Sequence, residues 1–500
     1  MTARRSFFFF GLSGAAAAIR AQAPRERLNL LMIMADQHRG DCLSCDGHPA
    51  VRTPHLDRLA AEGARFRNAY SSTPTCTPAR TGLLTGLSPW NHGMLGYGAM
   101  APRYPYTKPA ALREAGYYTL SIGKNHFSPQ RNGHGYHDTI LDESSRAESP
   151  EFRGDYRAWF ASQAPSLDPY ATGILWNDFR AKPYVHPERL HPTRWTADVA
   201  VNFLETYSRP QPFFLKVSFA RPHSPYDPPE RWFRAYRDAP VPAPAVGKWA
   251  DRHRERNNAG FEIWRGDLGV EQARHSRQGY YGAVSFIDEQ IGRIRETLEK
   301  KGLLDRTLIL YFSDHGDMTG DHHLWRKSYA YQASARIPML MRWPQGMISA
   351  KRGQVRSEPV ELRDVLPTLL DAAGANSQRP LDGASLARCA ASDGAGWRDS
   401  IDLEHDVCYD RSNHWNALTD GKWKYVYHAM DGEEQLFDLA ADPHETRDLA
   451  GDPTRAGELR NWRSRMTAHL EPRGPAFVKG GRLVPRPERM TYSPNHPKAG

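Results

Sequence analysis

The chain alternates short apolar runs with longer segments whose apolar residues recur at helical spacing. Residues 28–34, 118–122, 212–219 and 307–312 are apolar in short runs, the pattern of strands buried in a parallel sheet. A further apolar run follows Arg336-Ile337-Pro338 as far as Trp343. Between these runs, Thr53-Pro54 opens a predicted helix that Gly63 closes, and a second helix is predicted over 108–116. Residues 279–301 predict a long helix with Ala283, Phe286, Ile287, Ile291 and Ile294 on one face and Gly302 as its stop. Residues 362–373 predict another, capped by Gly374. Residues 128–210 and 226–275 are rich in Pro, aromatic residues, His and Arg and read as irregular insertions, with one helix near 195–207.

Past residue 375 the composition shifts to Gly, Ala, Ser and Asp, which places a domain boundary there. Beyond it, 423–427 alternates like a strand. Residues 475–500 are basic and proline-rich with little to bury, so an extended tail is expected. The expected divisions are thus 1–23, 24–375, 376–474 and 475–500.

Composition narrows the class. Five hundred residues with 25% charged and 40% hydrophobic side chains describe an ordinary globular protein, and no run is long enough to span a membrane. Residues 1–23 read as a targeting segment: Arg4-Arg5 precede an apolar stretch from Phe7 to Ile19, and Ala21-Gln22-Ala23 offers a cleavage site. The twin arginines resemble a Tat signal, which implies a periplasmic or secreted protein with no stable membrane insertion once the signal is removed. The formal charge is +9; removing the three arginines of 1–23, which holds no acid, leaves +6. That excess suits a small anionic substrate, and its scatter argues against nucleic acid. Cys42 and Cys45 lack a second pair or a nearby His pair to complete a zinc site, so they read as a structural pair, free or bridged.

The chemistry centres on Cys76-Thr77-Pro78-Ala79-Arg80 and the following Thr85-Gly86. The stretch reads as a helix start with Thr75 or Thr77 as cap and Pro78 in the first turn. Cys76 then sits where the helix dipole favours negative charge, with Arg80 one turn on. Other polar residues follow the apolar runs directly: Asp36-Gln37, Gly123-Lys124-Asn125-His126, Pro222-His223-Ser224-Pro225 and Asp314-His315-Gly316-Asp317. Lys327 lies in Trp325-Arg326-Lys327-Ser328.

Cys76, Pro78, Arg80, Thr85 and Gly86 match the signature of the type I sulfatases, and the other segments occur in that family's order. The resemblance implies an alkaline-phosphatase-like α/β fold: a mixed, mostly parallel sheet between helices, with a small C-terminal α+β domain on an antiparallel sheet. It implies that a maturase oxidises Cys76 to Cα-formylglycine. The hydrated aldehyde has one hydroxyl to attack sulfur and another whose proton loss later expels sulfate. It implies a divalent metal, Ca²⁺ first and Mg²⁺ or Mn²⁺ as alternatives, held by Asp36, Gln37, Asp314, His315 and the group at Cys76. Gln37 and His315 stand where many members have Asp and Asn. Arg80, Lys124 and Lys327 are expected to stabilise charge on the sulfate, with His223 as general acid and His126 as base. The substrate expected is a sulfate ester, of a carbohydrate before a simple aryl alcohol. The rival readings are a phosphonate monoester or phosphodiester hydrolase, and a non-catalytic binder of sulfated glycans.

Overall fold

The computed structural model describes residues 27–497; the expected export segment lies outside them. Eight strands form one sheet: β1 (Asn29–Asp36), β2 (Gly63–Phe66), β3 (Tyr118–Gly123), β4 (Asp138–Leu141), β5 (Phe213–Pro222), β6 (Thr307–Ser313), β7 (Met339–Arg342) and β8 (Gln354–Arg356). Their spatial order is β4-β3-β5-β1-β6-β7-β2-β8, and within it β7 alone runs antiparallel to its neighbours. The register is level at the carboxyl ends: Ala35 pairs with Phe219 on one side and Ser313 on the other, and Gly123 pairs with Ser218.

The unbroken apolar runs follow from burial on both faces. Leu30, Met32 and Met34 pack with Leu308, Leu310 and Phe312 in one core. Helices α1 (Pro54–Ala61) and α2 (Cys76–Thr85) precede β3, and α2 lays Ala79, Leu83 and Leu84 into that core. Leu31, Ile33 and Ala35 face the other way, with Leu215, Val217 and Ile309. Helices α3 (Pro192–Thr206) and α4 (Val270–Lys300) cover that face. Each fully buried large apolar side chain here contributes roughly 1.5–3 kcal/mol.

Helix α4 begins at Val270, nine residues before the predicted start. Gly279 is not a boundary but a point of close approach: a Cβ there would lie 2.5 Å from that of Ala181 and 2.8 Å from the Tyr226 carbonyl oxygen. The insertion 128–210 also holds a helix, Asp155–Gln163, that the sequence pattern did not predict. Past residue 400, four strands, Ile401–His405, Trp415–Thr419, Trp423–His428 and Glu434–Asp438, form an antiparallel sheet. The helix Ala456–Leu470 packs on it through Trp462, Met466 and Leu470.

The C-terminal segment differs from the expected tail with little to bury. Phe477 and Val478 are buried in the small-sheet core. Further on, Leu95 N donates to Thr491 O at 2.9 Å and Ser493 N to Gly93 O at 2.8 Å. Cys42 and Cys45 are both free thiols.

Burial sets an acid limit on stability. It pushes His92 down to about 3 and His134 and His322 down to about 4. These rings are neutral in the fold and take up protons near pH 6.5 only when the chain unfolds. Their contribution is therefore complete above about pH 6.5 and is lost as pH falls toward 4, by up to about 1.4 kcal/mol per pH unit per site. Thermal melts at pH 7.5, 6 and 5 are expected to show Tm falling with pH, and a flat series would contradict it.

Candidate active site

Four adjacent strands, β3-β5-β1-β6, end at one edge of the sheet. Each is followed at once by polar residues: Lys124 after β3, His223 after β5, Gln37 after β1 and Asp314-His315 after β6, with Asp36 closing β1 itself. Level register brings residues far apart in sequence into one cluster. His223 N donates to the Asp36 carbonyl oxygen at 3.0 Å, and Gln37 N to Asp314 Oδ1 at 3.1 Å.

Helix α2 enters from the side. All ten of its residues are buried, and Cys76 occupies its first position at 2% exposure. Thr75 precedes the helix but does not cap it. Its Oγ1 instead lies 2.6 Å from both Ser328 Oγ and His405 Nε2. Arg80 turns toward the strand ends. Its Nε donates to Asp314 Oδ2 at 2.8 Å, one Nη to Asp36 Oδ2 at 3.1 Å and the other to the Lys124 carbonyl at 2.7 Å. The Lys124 ammonium contacts Asp36 Oδ2.

The donor atoms of Asp36, Cys76, Asp314 and His315 lie within 4.8 Å of one another, all buried. His315 Nε2 is 3.1 Å from Cys76 Sγ, 3.7 Å from Asp36 Oδ1 and 3.9 Å from Asp314 Oδ1. Its Nδ1 is 2.9 Å from the Gly316 carbonyl, an interaction that aims Nε2 inward. Two carboxylates and an imidazole converging in this way fit a divalent cation. Burial alone would raise the Asp36 carboxyl, but Lys124, His223, Arg80 and His315 outweigh it and hold it well below the usual range. Burial and Asp36 push the Cys76 thiol up; Lys327, Lys124 and His315 prevail and bring it to about 7.

The Gln37 amide is paired on both sides: Nε2 donates to Asp317 Oδ2 at 2.5 Å and Oε1 accepts from Lys327 Nζ at 2.7 Å. Lys327 Nζ also lies 2.7 Å from His223 Nε2. His223 Nδ1 is 2.8 Å from the Ser224 carbonyl, which makes Nε2 the acceptor toward Lys327. Burial and then Lys327 drive the His223 ring well below its ordinary value. His126 is buried at φ 64°, and neither ring nitrogen has a hydrogen-bond partner among the described residues. Burial, then Arg146 and Lys124, keep it neutral.

Two participants carry no assigned role in the sequence reading. Asp317 accepts from Gln37 and, at 2.6 Å, from Tyr226 OH; its place three residues after Asp314 was the available signal. Trp176, from the irregular insertion, stacks on His223 with centroids 4.1 Å apart at 16°, and Lys124 Nζ is 5.3 Å from its ring. No periodic pattern marks it.

A cation-binding donor set at the carboxyl ends of a mostly parallel sheet, with a small antiparallel domain beside it, defines an alkaline-phosphatase-like α/β protein. Comparison with known proteins narrows this. The sulfatase family model matches residues 28–375, and the model of the N-sulphoglucosamine sulphohydrolase C-terminal region matches residues 320–471. An arylsulfatase of Clostridium perfringens is 36% identical over 469 residues, covering 91% of this chain and 97% of that protein. A choline-sulfatase of Rhizobium meliloti is 32% identical, covering 85% and 83%. Among solved structures, a phosphonate monoester hydrolase of Agrobacterium radiobacter superposes with a TM-score of 0.75 at 27% identity, covering 92% of this chain and 100% of that one. The chain belongs to the type I sulfatase family and is a sulfuric ester hydrolase.

Proposed function

We propose that this sulfatase works through a formylglycine formed at Cys76, with a divalent cation beside it, and that its substrate is a sulfated carbohydrate. The observation that supports this most is the convergence of Cys76, Asp36, Asp314 and His315 around one point, with Arg80 and Lys124 in contact with the carboxylates. A bound cation at these donors would neutralise sulfate oxygens and acidify a neighbouring hydroxyl. Calcium is the first expectation and the His315 imidazole admits magnesium or manganese; metal analysis of the purified protein decides between them.

The chain's own residues would do the rest. Arg80 spans Asp36 and Asp314 and fixes both carboxylates, so they stay turned toward the point the cation donors share. Lys327 and His223 form one acid: the lysine ammonium donates to a neutral imidazole 2.7 Å away, and the leaving oxygen takes its proton from this pair. Trp176 closes over the His223 ring and excludes water from that side. His126, neutral and unpartnered among the described residues, is the base that takes the proton of the second hydroxyl at residue 76, so that the carbon–oxygen bond to sulfate breaks and the carbonyl re-forms. Lys327→Ala removes a donor to the developing charge and is expected to cost about 3 kcal/mol, or roughly 10²–10³ in kcat. Steady-state rates on a sulfate ester check this, and a loss under threefold would refute the role.

The carbohydrate reading rests on the aromatic insertions around the site, on the expected export of the chain, and on relatives such as an N-acetylglucosamine-6-O-sulfatase of Bacteroides thetaiotaomicron, 27% identical over 509 residues. The test has two parts. Protein made beside a maturing enzyme is digested, and the peptide 68–80 is weighed; the aldehyde predicts a lower mass than the thiol. The matured protein is then offered a panel of sulfated mono- and disaccharides, aryl sulfates and aryl phosphonates. Turnover of aryl esters with none on any saccharide would overturn the carbohydrate assignment. The likeness to a phosphonate monoester hydrolase favours a second reading, in which phosphonates turn over faster than sulfates on the same panel.

A further inference from the structure

Beside Lys327 the structure holds a buried guanidinium with little to pair it. The Arg326 side chain is 11% exposed, and its Nε and one Nη are fully buried without a hydrogen-bond acceptor among the described residues. It forms one long ion pair, at 3.9 Å, with the half-exposed Glu262 carboxylate. The guanidinium lies 5.4 Å from the centre of the Tyr409 ring. That ring stacks on Trp264, with centroids 5.8 Å apart at 14°. The Trp264 indole N–H and Arg265 Nε are likewise buried and unpaired among the described residues. Main-chain pairing keeps the two segments together: Trp325 N donates to the Trp264 carbonyl at 2.9 Å, and Arg265 opposes Leu324.

This cluster adjoins the reacting centre. Ser328, two residues past Arg326, meets Thr75, the neighbour of residue 76, with hydroxyls 2.6 Å apart, and Lys327, between Arg326 and Ser328, reaches His223 at 2.7 Å. On its far side Arg265 lines a cleft of about 150 Å³ with Tyr329, Asn413 and Trp415. Two acids nearby are engaged, Asp178 by Arg180 and Glu433 by Arg252, while Asp410 accepts from Ser412 and offsets part of the Arg265 charge.

A charged donor buried without an acceptor is costly, and native proteins keep few of them. The forked N–H groups of arginine match a carboxylate or a sulfate. A flat aromatic pair beside them suits the face of a sugar or aryl ring.

We propose that Arg326, with Arg265 and the Trp264 indole N–H around Tyr409, forms a subsite for a second anionic group, a carboxylate or a sulfate, on the same substrate whose scissile sulfate lies at residue 76. The proposal rests on the sulfatase reading and adds that the natural ester carries at least two negative groups. The Arg326 guanidinium holds the second anion, and the Tyr409–Trp264 pair supports the ring between.

The test compares phenyl sulfates that carry a carboxylate, a second sulfate or a neutral carboxamide at ring position 2, 3 or 4. The matured full-length enzyme is expected to favour a charged over a neutral ester by at least tenfold in kcat/KM at one position, and whether carboxylate or sulfate gains more identifies the group. Arg326→Gln is expected to erase that ratio and Arg326→Lys to restore part of it, with folding of each variant followed by its Tm. Equal kcat/KM for charged and neutral esters at every position, or an unchanged ratio in Arg326→Gln, would overturn the subsite while leaving the sulfatase intact. No turnover of any ester by protein whose residue 76 is aldehyde would instead remove the underlying reading, and the subsite with it.

Discussion

Cys76→Ala is expected to abolish sulfate release, with a loss on the order of 10⁶-fold in kcat, as when a covalent nucleophile is removed from other hydrolases. Alanine has neither a thiol to oxidise nor an oxygen to attack sulfur. The surrounding machinery, Arg80, Lys124, Lys327 and the cation donors, stays in place to bind the ester. KM is therefore expected to change far less than kcat. The fold has little reason to suffer, because the Cys76 sulfur makes two polar contacts among the described residues, at 3.1 Å to His315 and 3.9 Å to Asp36. A variant of native Tm that keeps more than a thousandth of the wild-type rate would show that residue 76 is not the nucleophile.

Arg80→Met is expected to damage both stability and turnover. Arg80 hydrogen-bonds both Asp36 and Asp314, at 3.1 and 2.8 Å, in a wholly buried setting. Methionine fills much of the volume but leaves Asp314 without its ion-pair partner, and such a loss typically costs about 3–5 kcal/mol. Lys124 still offsets Asp36. The expected result is a lower Tm without added metal, and a smaller deficit when calcium is supplied, because a cation at these carboxylates restores the missing charge. Turnover remains impaired with metal present, since the guanidinium that fixes both carboxylates is gone. An unchanged Tm, or a deficit that metal does not narrow, would contradict the bridging role.

The legible part of this protein is the part that two-sided burial writes into the chain. Asp36, Lys124, His223 and Asp314 were found because each lies where an apolar run stops, and parallel strands in level register carry such stops to one edge. Partner choice within the cluster was not legible. Gln37 was read as a metal ligand, and nothing in the chain order showed that Lys327 and Asp317, about 280 positions away, take the two ends of its amide. Thr75 was a natural helix cap, yet its hydroxyl is claimed by Ser328 and His405. Trp176 lies in a stretch without periodicity, and only the folded insertion reveals that its ring covers His223. Gly279 misled the reading of helix α4 because glycine marks both ends and close approaches. The C-terminal segment looked unable to bury anything because its apolar residues are sparse; Phe477 and the main chain of 491–493 suffice to fix it.

The 2% exposure of Cys76 constrains when its chemistry must happen. Once helix α2 is docked, its first residue is walled in by strand ends, and no second protein could hold that segment extended without first melting the core beneath it. Under the maturation proposed for Cys76, conversion of thiol to aldehyde would belong to the interval between synthesis and compaction. Production of active enzyme would then depend on how long the nascent chain lingers unfolded, a kinetic race that no later addition of the oxidising partner can rerun.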